Sequence, residues 1–250
     1  MEGATSIERL PGPAVESQLP ASATDGAVRD VPAALRLQIL TTEHWSLLAT
    51  RSMSWNESFS RAAMFLSLLS GSIVAFALVA QATAFGDNFS LFALLLLPVV
   101  LFAGVATFTR LVQVNNEDAH WVVGMNRLRH KYLEIAPDFE AYFVTGAHDD
   151  EPGIFKTFAG DPRSNQFLHG FITTPGMIGT IVALVAATLV AVAALRLGAA
   201  TPLAALAGAV AFFGTVAALA WYAYRTLTGL KDLLPPRFPS AGAEPPPGRS

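Results

Sequence analysis

The chain has 250 residues, of which 52% are hydrophobic and only 14% are charged, against about 25% charged in a typical soluble domain. Residues 62–109 and 172–224 are nearly free of charge, because these 101 residues contain only Asp87 and Arg196. This distribution excludes a soluble enzyme, a disordered regulator and a secreted disulfide scaffold, and it predicts an all-α integral membrane protein. The net charge of −3 gives no general attraction to nucleic acid, so we expect no nucleic-acid partner.

The chain begins with a polar arm and continues as a helix. Residues 1–31 are rich in Pro, Ala, Ser and Gly without periodicity, which predicts a disordered arm. From residue 33 onward no helix breaker precedes the first apolar block. One face of this stretch carries a loose stripe of Leu37, Leu40, His44, Leu47 and Arg51. We therefore predict a helix that runs directly into the first membrane span.

The first apolar block predicts two spans. A helix needs about 20 apolar residues to cross about 30 Å of hydrocarbon, and residues 62–85 and 89–109 each supply them, with Gly86-Asp87-Asn88 as the turn signal. After the second span, eight residues follow the 3-4 spacing of a coiled-coil seam: Leu111, Val114, Asp118, Trp121, Met125, Leu128, Tyr132 and Ile135. Residues 32–136 are predicted to form a hairpin whose helices extend into the cytoplasm as a coiled-coil-like pair.

The second apolar block predicts a further transmembrane hairpin over residues 172–230, with spans 175–195 and 202–224. Its first span carries a ridge of small residues, Gly179, Ala183, Ala187 and Ala191. Small residues allow close helix approach, so we expect this ridge to pack on the last span through Gly208 and Gly214.

Two polar segments flank the second hairpin. Residues 137–171 are predicted to be a cytoplasmic connecting segment, in which His148-Asp149-Asp150-Glu151 is interpreted as an exposed acidic loop. The proline-rich residues 231–250 are predicted to be a disordered tail. Lys and Arg lie in the polar segments, and the two hairpin turns carry none apart from Arg196. Because basic loops stay in the cytoplasm, we predict a multi-pass protein of the plasma (inner) membrane with cytoplasmic N- and C-termini.

One face of the first span is polar along its length. At about 100° per residue, five residues fall within about 80° of one another: Asn56, Ser60, Ser67, Ser70 and Gln81. Such groups are not placed against lipid. Two interpretations stay open: the stripe lines a pore formed by several copies, or it packs against another helix, for which Ser67, Gly71 and Ala75 form a small-residue ridge.

Asp118 interrupts the apolar seam. Counting outward from the turn places it opposite Trp55, one helical turn from Arg51. One alternative is an ion pair between Arg51 and Asp118 that fixes the register of the two helices. The other is an Asp118 that simply faces water.

Polar residues surround the predicted cytoplasmic mouth of this hairpin: Glu57, Asn115, Asn116, Glu117 and Asp118. Carboxylates and amides at such a position attract cations, whereas the alternative is an ordinary solvated surface. The sequence contains no nucleophile–base pattern, no glycine-rich phosphate loop and no histidine pair at ligand spacing. We therefore expect no enzyme, no catalytic residue, no metal site and no cofactor.

From Leu35 through Trp55 and the hairpin to Tyr132-Leu133, the first half resembles the SLATT-type effector domains of bacterial conflict systems. The resemblance implies a bacterial two-span hairpin with cytoplasmic extensions that forms pores. We therefore expect a homo-oligomeric pore or ion channel in the lipid bilayer that passes an inorganic cation. The alternative is a membrane-anchored scaffold or signalling protein whose cytoplasmic hairpin binds an unknown protein partner.

Two further readings are disfavoured. No Asp, Glu, Lys or His lies within any predicted span, which argues against a coupled transporter. Gly124-Met125-Asn126 matches the Gly-Met-Asn signature of the CorA-type magnesium channels, but here it lies in the predicted cytoplasmic helix and precedes Arg127, Arg129 and Lys131. We interpret that match as chance.

Overall fold

The computed structural model describes residues 32–158, 173–233 and 235–240, and within them all regular structure is helical. The helices are α1 (Ala33–Thr83), α2 (Asp87–Ile135), a short 3-10 helix (Pro137–Tyr142), α3 (Glu151–Thr157), α4 (Thr174–Arg196) and α5 (Thr201–Leu233). The predicted disordered arm over residues 1–31 lies outside the described residues, as do residues 159–172 and 241–250.

Four of these helices, α1, α2, α4 and α5, are long and apolar enough to cross a membrane, the number that the sequence predicts. Helices α1 and α2 contain 51 and 49 residues. At about 1.5 Å per residue, each is more than twice as long as a hydrocarbon core of about 30 Å is thick. Each therefore has a long polar continuation beyond its apolar stretch.

The turn between α1 and α2 lies two residues earlier than the sequence predicted. Ala84 and Phe85 adopt positive φ angles of 49° and 60°, and α2 begins at Asp87 rather than after Asn88. The physical reason is the helix dipole, because an aspartate in the first turn of a helix is stabilised by the partial positive charge there. Asp87 therefore belongs to the helix, and Gly86 precedes it as the N-cap residue.

Helices α1 and α2 contact each other from the turn to their far ends. Near the turn, the rings of Phe76 and Phe92 meet edge to face with centroids 5.6 Å apart. At the far end, the Tyr132 hydroxyl donates to the carbonyl oxygen of Leu40 at 3.0 Å, and the Tyr132 ring stacks on His44. The two helices thus lie side by side and antiparallel over most of their length.

Helix α2 also contacts both helices of the second pair, α4 and α5. A Cβ atom at Gly104 would lie 2.7 Å from the Val182 side chain and 3.0 Å from the Phe65 ring, so only glycine lets α1 and α4 approach α2 at this level. Gly179 is in the same position against the Phe108 ring, at 2.9 Å. The apolar core therefore lies around the middle of α2.

The small-residue ridge of α4 packs in part as predicted. A Cβ atom at Gly208 would lie 3.1 Å from the Ala187 carbonyl oxygen and 3.3 Å from the Ala191 Cβ, so α4 and α5 meet there. The prediction for Gly214 is wrong, because nothing lies within 4 Å of its Cβ position. The Cβ position of Gly179, at the start of the ridge, lies 2.9 Å from Phe108 of α2 and 3.7 Å from Leu219 of α5, so α2 is its closer neighbour.

The expectation of disorder over residues 231–250 is wrong for the part of that range that the structure describes. Helix α5 continues to Leu233, and residues 235–240, which we call the tail segment, are hydrogen-bonded to the loop before α3. Proline does keep this segment out of a helix, as predicted, but its remaining N–H groups find partners elsewhere in the chain.

Candidate functional site

The polar stripe of α1 faces away from the rest of the chain. All five of its residues are exposed: Asn56, Ser60, Ser67, Ser70 and Gln81. Ser72, on the opposite side of the helix, is buried at 5% exposure. Within the described residues, therefore, no other helix packs against the stripe.

The stripe contains two kinds of polar group. The Ser67 and Ser70 hydroxyls donate to the carbonyl oxygens of Ala63 and Leu66 at 2.9 and 2.8 Å, so their donors are satisfied within α1. Asn56, Ser60 and Gln81 have no hydrogen-bond partner among the residues that the structure describes. The partners of these groups therefore come from outside the described residues.

The small-residue ridge beside the stripe is also open. A Cβ atom at Gly71 would have nothing within 4 Å, and Ser67 is exposed. The surface around Gly71 is therefore open enough for a second helix to approach closely, although none of the described helices does so.

Arg51 and Asp118 lie in contact. The Arg51 Nε and Nη2 atoms donate to the two carboxylate oxygens at 2.6 and 3.2 Å, and Trp55 Nε1 donates to Oδ1 at 3.2 Å. Asp118 is only 2% exposed, so the alternative of a water-facing Asp118 does not hold. The proximity of Trp55 agrees with the pairing counted from the sequence. That the pair fixes the helix register stays a prediction.

The residues of the predicted mouth form a charge-balanced cluster, which we call the polar collar. Arg110 binds Glu57 through two hydrogen bonds of 2.9 Å and binds Glu117 at 2.8 Å, and Arg61 binds Glu57 at 2.8 Å. The hydrogen bonds from Arg110 and then Arg61 lower the pKa of Glu57 to about 2. Asn115 is exposed and Asn116 half-buried at its edge.

Because three guanidinium groups offset the three carboxylates of Glu57, Glu117 and Asp118, the collar has little net charge with which to concentrate cations. Within the described ranges, no group of three or more His, Cys, Asp or Glu side chains is placed to hold a metal ion. The sequence places Arg61 and Arg110 near these carboxylates, but it does not give the pairing of Arg110 with Glu57, because the two residues are far apart along the chain and meet only when α1 and α2 pack.

The acidic loop is buried rather than exposed, which corrects the sequence-based expectation. Asp149 and Asp150 are 2% and 6% exposed. Asp149 accepts hydrogen bonds from Arg127 Nε at 2.7 Å and from the backbone N–H groups of Arg237 and Phe238. Burial alone raises the pKa of Asp149, but these hydrogen bonds outweigh it and hold the pKa below its ordinary value. The two backbone donors to Asp149 come from the tail segment.

Asn126 supports this loop and was also missed. It is fully buried, its Nδ2 donates to the His148 carbonyl at 2.8 Å, and its Oδ1 accepts from Arg129 and Thr157 at 2.8 Å each. The Gly-Met-Asn triplet therefore ends in a residue with a structural role. In the sequence, Asn126 is marked only by an amide side chain next to the apolar seam. Such amides are too common to identify a buried residue that supports a loop.

No family model, no curated protein and no solved structure matches this chain. Function is therefore inferred from the geometry of the stripe, the collar and the loop.

Proposed function

We propose that this protein is an oligomeric membrane pore lined by the polar stripe of α1. The observation that supports the proposal most directly is that the stripe lies on the exposed side of α1, with Asn56, Ser60 and Gln81 unpaired within the described chain. A buried amide or hydroxyl without a hydrogen bond costs about 2–7 kcal/mol in an apolar medium. For Gln81, which lies within the predicted span, lipid is therefore an unfavourable neighbour and water in a pore is a favourable one, whereas Asn56 and Ser60 lie before the span at the level of the collar.

We further propose the membrane arrangement. The α1–α2 pair and the α4–α5 pair are two transmembrane hairpins in a plasma (inner) membrane, and the polar parts of α1 and α2 extend into the cytoplasm. The distribution of Lys and Arg supports this orientation. In this arrangement the polar collar lies at the cytoplasmic entrance and Gln81 lies near the opposite one.

A pore requires several copies. One α1 helix cannot enclose a water-filled path, whereas a ring of copies surrounds an axis with one stripe from each. The open surface around Gly71 permits close approach of a neighbouring helix. The second hairpin packs on α2, on the far side from the stripe, and serves as the lipid-facing support of each copy.

The chemistry of the lining favours small inorganic ions. Hydroxyl and amide groups replace part of an ion's hydration shell without fixing its sign. The collar is close to neutral, so we propose a pore that passes small inorganic ions, cations among them, with weak selectivity between cations and anions.

The chain contains no cysteine, so single cysteines can be introduced without background. In proteoliposomes loaded with a fluorescent ion indicator, Ser67→Cys should conduct ions like the wild type. A charged, thiol-specific methanethiosulfonate should then block this conduction. Ser72→Cys on the buried side and Ile73→Cys on the exposed apolar side are the matched controls, which the reagent should leave conducting.

Absence of ion flux from the wild type under all tested triggers would contradict the pore. So would equal block of Ser67→Cys and Ile73→Cys, because the stripe would then have no privileged access to water.

The alternative function is a membrane-anchored scaffold or signalling protein. The docked tail segment favours it, because the loop before α3 already binds a peptide. A monodisperse monomer that passes no ions would support this alternative.

A further inference from the structure

A second site lies beside the end of α2 that is remote from the α1–α2 turn. It is formed by the loop that carries Asp149 and Asp150, and the tail segment, whose sequence is Pro-Pro-Arg-Phe-Pro-Ser, occupies it. No residue of the polar stripe takes part, so this site is independent of the pore proposed above.

The two aspartates bind the backbone of the tail segment. Asp149 accepts the N–H of Arg237 at 2.8 Å and the N–H of Phe238 at 2.7 Å, and Asp150 accepts the N–H of Ser240 at 2.7 Å. Residue 239 is proline and has no N–H. Every backbone donor from 237 to 240 is therefore bound to a buried carboxylate, which is how a protein holds an extended peptide.

Two side chains of the segment are also recognised. The Phe238 ring stacks on His130 with centroids 4.3 Å apart, and the Phe238 carbonyl lies 3.2 Å from His148 Nδ1. The Ser240 hydroxyl donates to Asp150 Oδ1 at 2.9 Å. Arg237 and Pro239 are exposed, so the side-chain contacts define a pattern of an aromatic residue followed two positions later by serine.

The loop also has supports outside the tail segment, of which Arg127 contacts both the loop and the tail segment, because its Nη2 donates to the Pro235 carbonyl oxygen at 3.1 Å. Arg127 holds Asp149, the Gly153 N–H is capped by Asp150 at 3.1 Å, and Asn126 holds the His148 carbonyl. A site that is organised before its ligand arrives loses less entropy on binding. A cleft of about 510 Å³ is open beside Ser240, so the site is larger than its present occupant.

The geometry points to a peptide-binding site that the chain's own tail fills reversibly, as an intramolecular ligand that a peptide of the same pattern can replace. Only residue 234 separates α5 from the tail segment. Such a short tether gives the attached tail a high effective concentration, so a free peptide binds well only when the attached tail is weakened. Replacement of the tail releases Pro235 and Phe238 from Arg127 and His130 of α2.

The test uses the full-length chain in detergent with Phe238→Ala, which removes the stacking contact and weakens the attached tail. The probe is a fluorescein-labelled peptide of residues 233–242, followed by fluorescence anisotropy. We expect saturable binding that is about tenfold or more tighter to the Phe238→Ala chain than to the wild type. Ser240→Asp, which places a carboxylate against Asp150, is a second chain with a weakened tail and should give the same gain.

Peptide variants provide the controls, since they leave the protein unchanged. A peptide with Phe238→Ala, or with phosphoserine at position 240, should bind about tenfold or more weakly. Empty micelles measure non-specific partitioning of the probe. The proposal is overturned if neither weakened chain binds the peptide saturably, or if the Phe238→Ala peptide competes as well as the native one.

Discussion

At the scale of single residues, the charges of this protein act in pairs across α1 and α2. Asp118 is the most buried member, and Arg51 with Trp55 supplies its hydrogen bonds. Glu57 is bound by two arginines but is more exposed, at 35% of its side chain. Exposed pairs contribute about 0–1 kcal/mol, whereas a buried charge that loses its partner is expensive. The Arg51–Asp118 pair should therefore matter more than the collar.

Removal of Arg51 tests this difference. Arg51→Ala leaves the Asp118 carboxylate buried with only Trp55 as a donor, so it should lower the free energy of unfolding by about 3 kcal/mol. Arg61→Ala removes an exposed guanidinium from the same helix and should cost less than about 1 kcal/mol. Thermal unfolding of the purified variants in detergent measures both.

The double variant Arg51→Met with Asp118→Leu distinguishes the stability lost by leaving a charge unpaired from the stability lost by removing a contact. Replacing both members of a buried pair by apolar residues is often close to neutral, so this variant should recover most of the loss. Equal stability of Arg51→Ala and the wild type would contradict a structural role for the pair.

At the scale of elements, the long helices were predictable and the loop was not. The apolar blocks predicted α4 and α5 to within a residue at their facing ends, because the length of a span is set by the bilayer. Counting outward from the turn placed Asp118 opposite Trp55, because the rise per residue is constant along both helices.

The site around Asp149 could not be predicted for a physical reason. Its ligands are backbone N–H groups of residues 237, 238 and 240, which have no side-chain signature and lie nearly ninety positions away in sequence. Composition correctly excluded a helix in the tail segment but carried no information on docking. The polar stripe, in contrast, was visible in the sequence because all its members share one helix.

The loop that holds the tail segment depends on two close backbone approaches. A Cβ atom at Gly153 would lie 2.1 Å from the His148 carbonyl oxygen, and one at Gly146 would lie 2.2 Å from the Gly153 oxygen. Neither neighbour is a flexible side-chain end. Glycine at these positions is therefore a condition for the loop to present both aspartates.

Gly153→Ala should open the loop and release the tail segment. Trypsin cleavage after Arg237 reports release, because a protease needs the backbone that Asp149 holds in the docked state. We expect cleavage about tenfold faster or more, since cleavage follows the population of the open form. Gly214→Ala, which meets nothing within 4 Å, should leave the rate unchanged. Unaltered cleavage of Gly153→Ala, measured by mass spectrometry, would contradict this account of the loop.

At the scale of the whole molecule, the two charges of the apolar blocks meet. Arg196 at the end of α4 donates to Asp87 at the start of α2. The Asp87 side chain is 92% exposed, so this pair adds little stability. The contact does show that the turn before α2 and the turn after α4 lie at the same end of the molecule. If the four long helices cross one bilayer, both turns must then emerge on the same side.

This arrangement predicts the topology in the membrane. Asn88→Cys and Ala200→Cys, one beside each turn, should both react with a membrane-impermeant maleimide added to intact cells, because basic residues retain the opposite ends in the cytoplasm. Glu140→Cys, in the exposed 3-10 helix, should react only after the membrane is permeabilised. The native chain has no cysteine and is the blank. Labelling of Glu140→Cys in intact cells would reverse the orientation, and protection of one turn cysteine alone would show that the two helical pairs do not span the bilayer together.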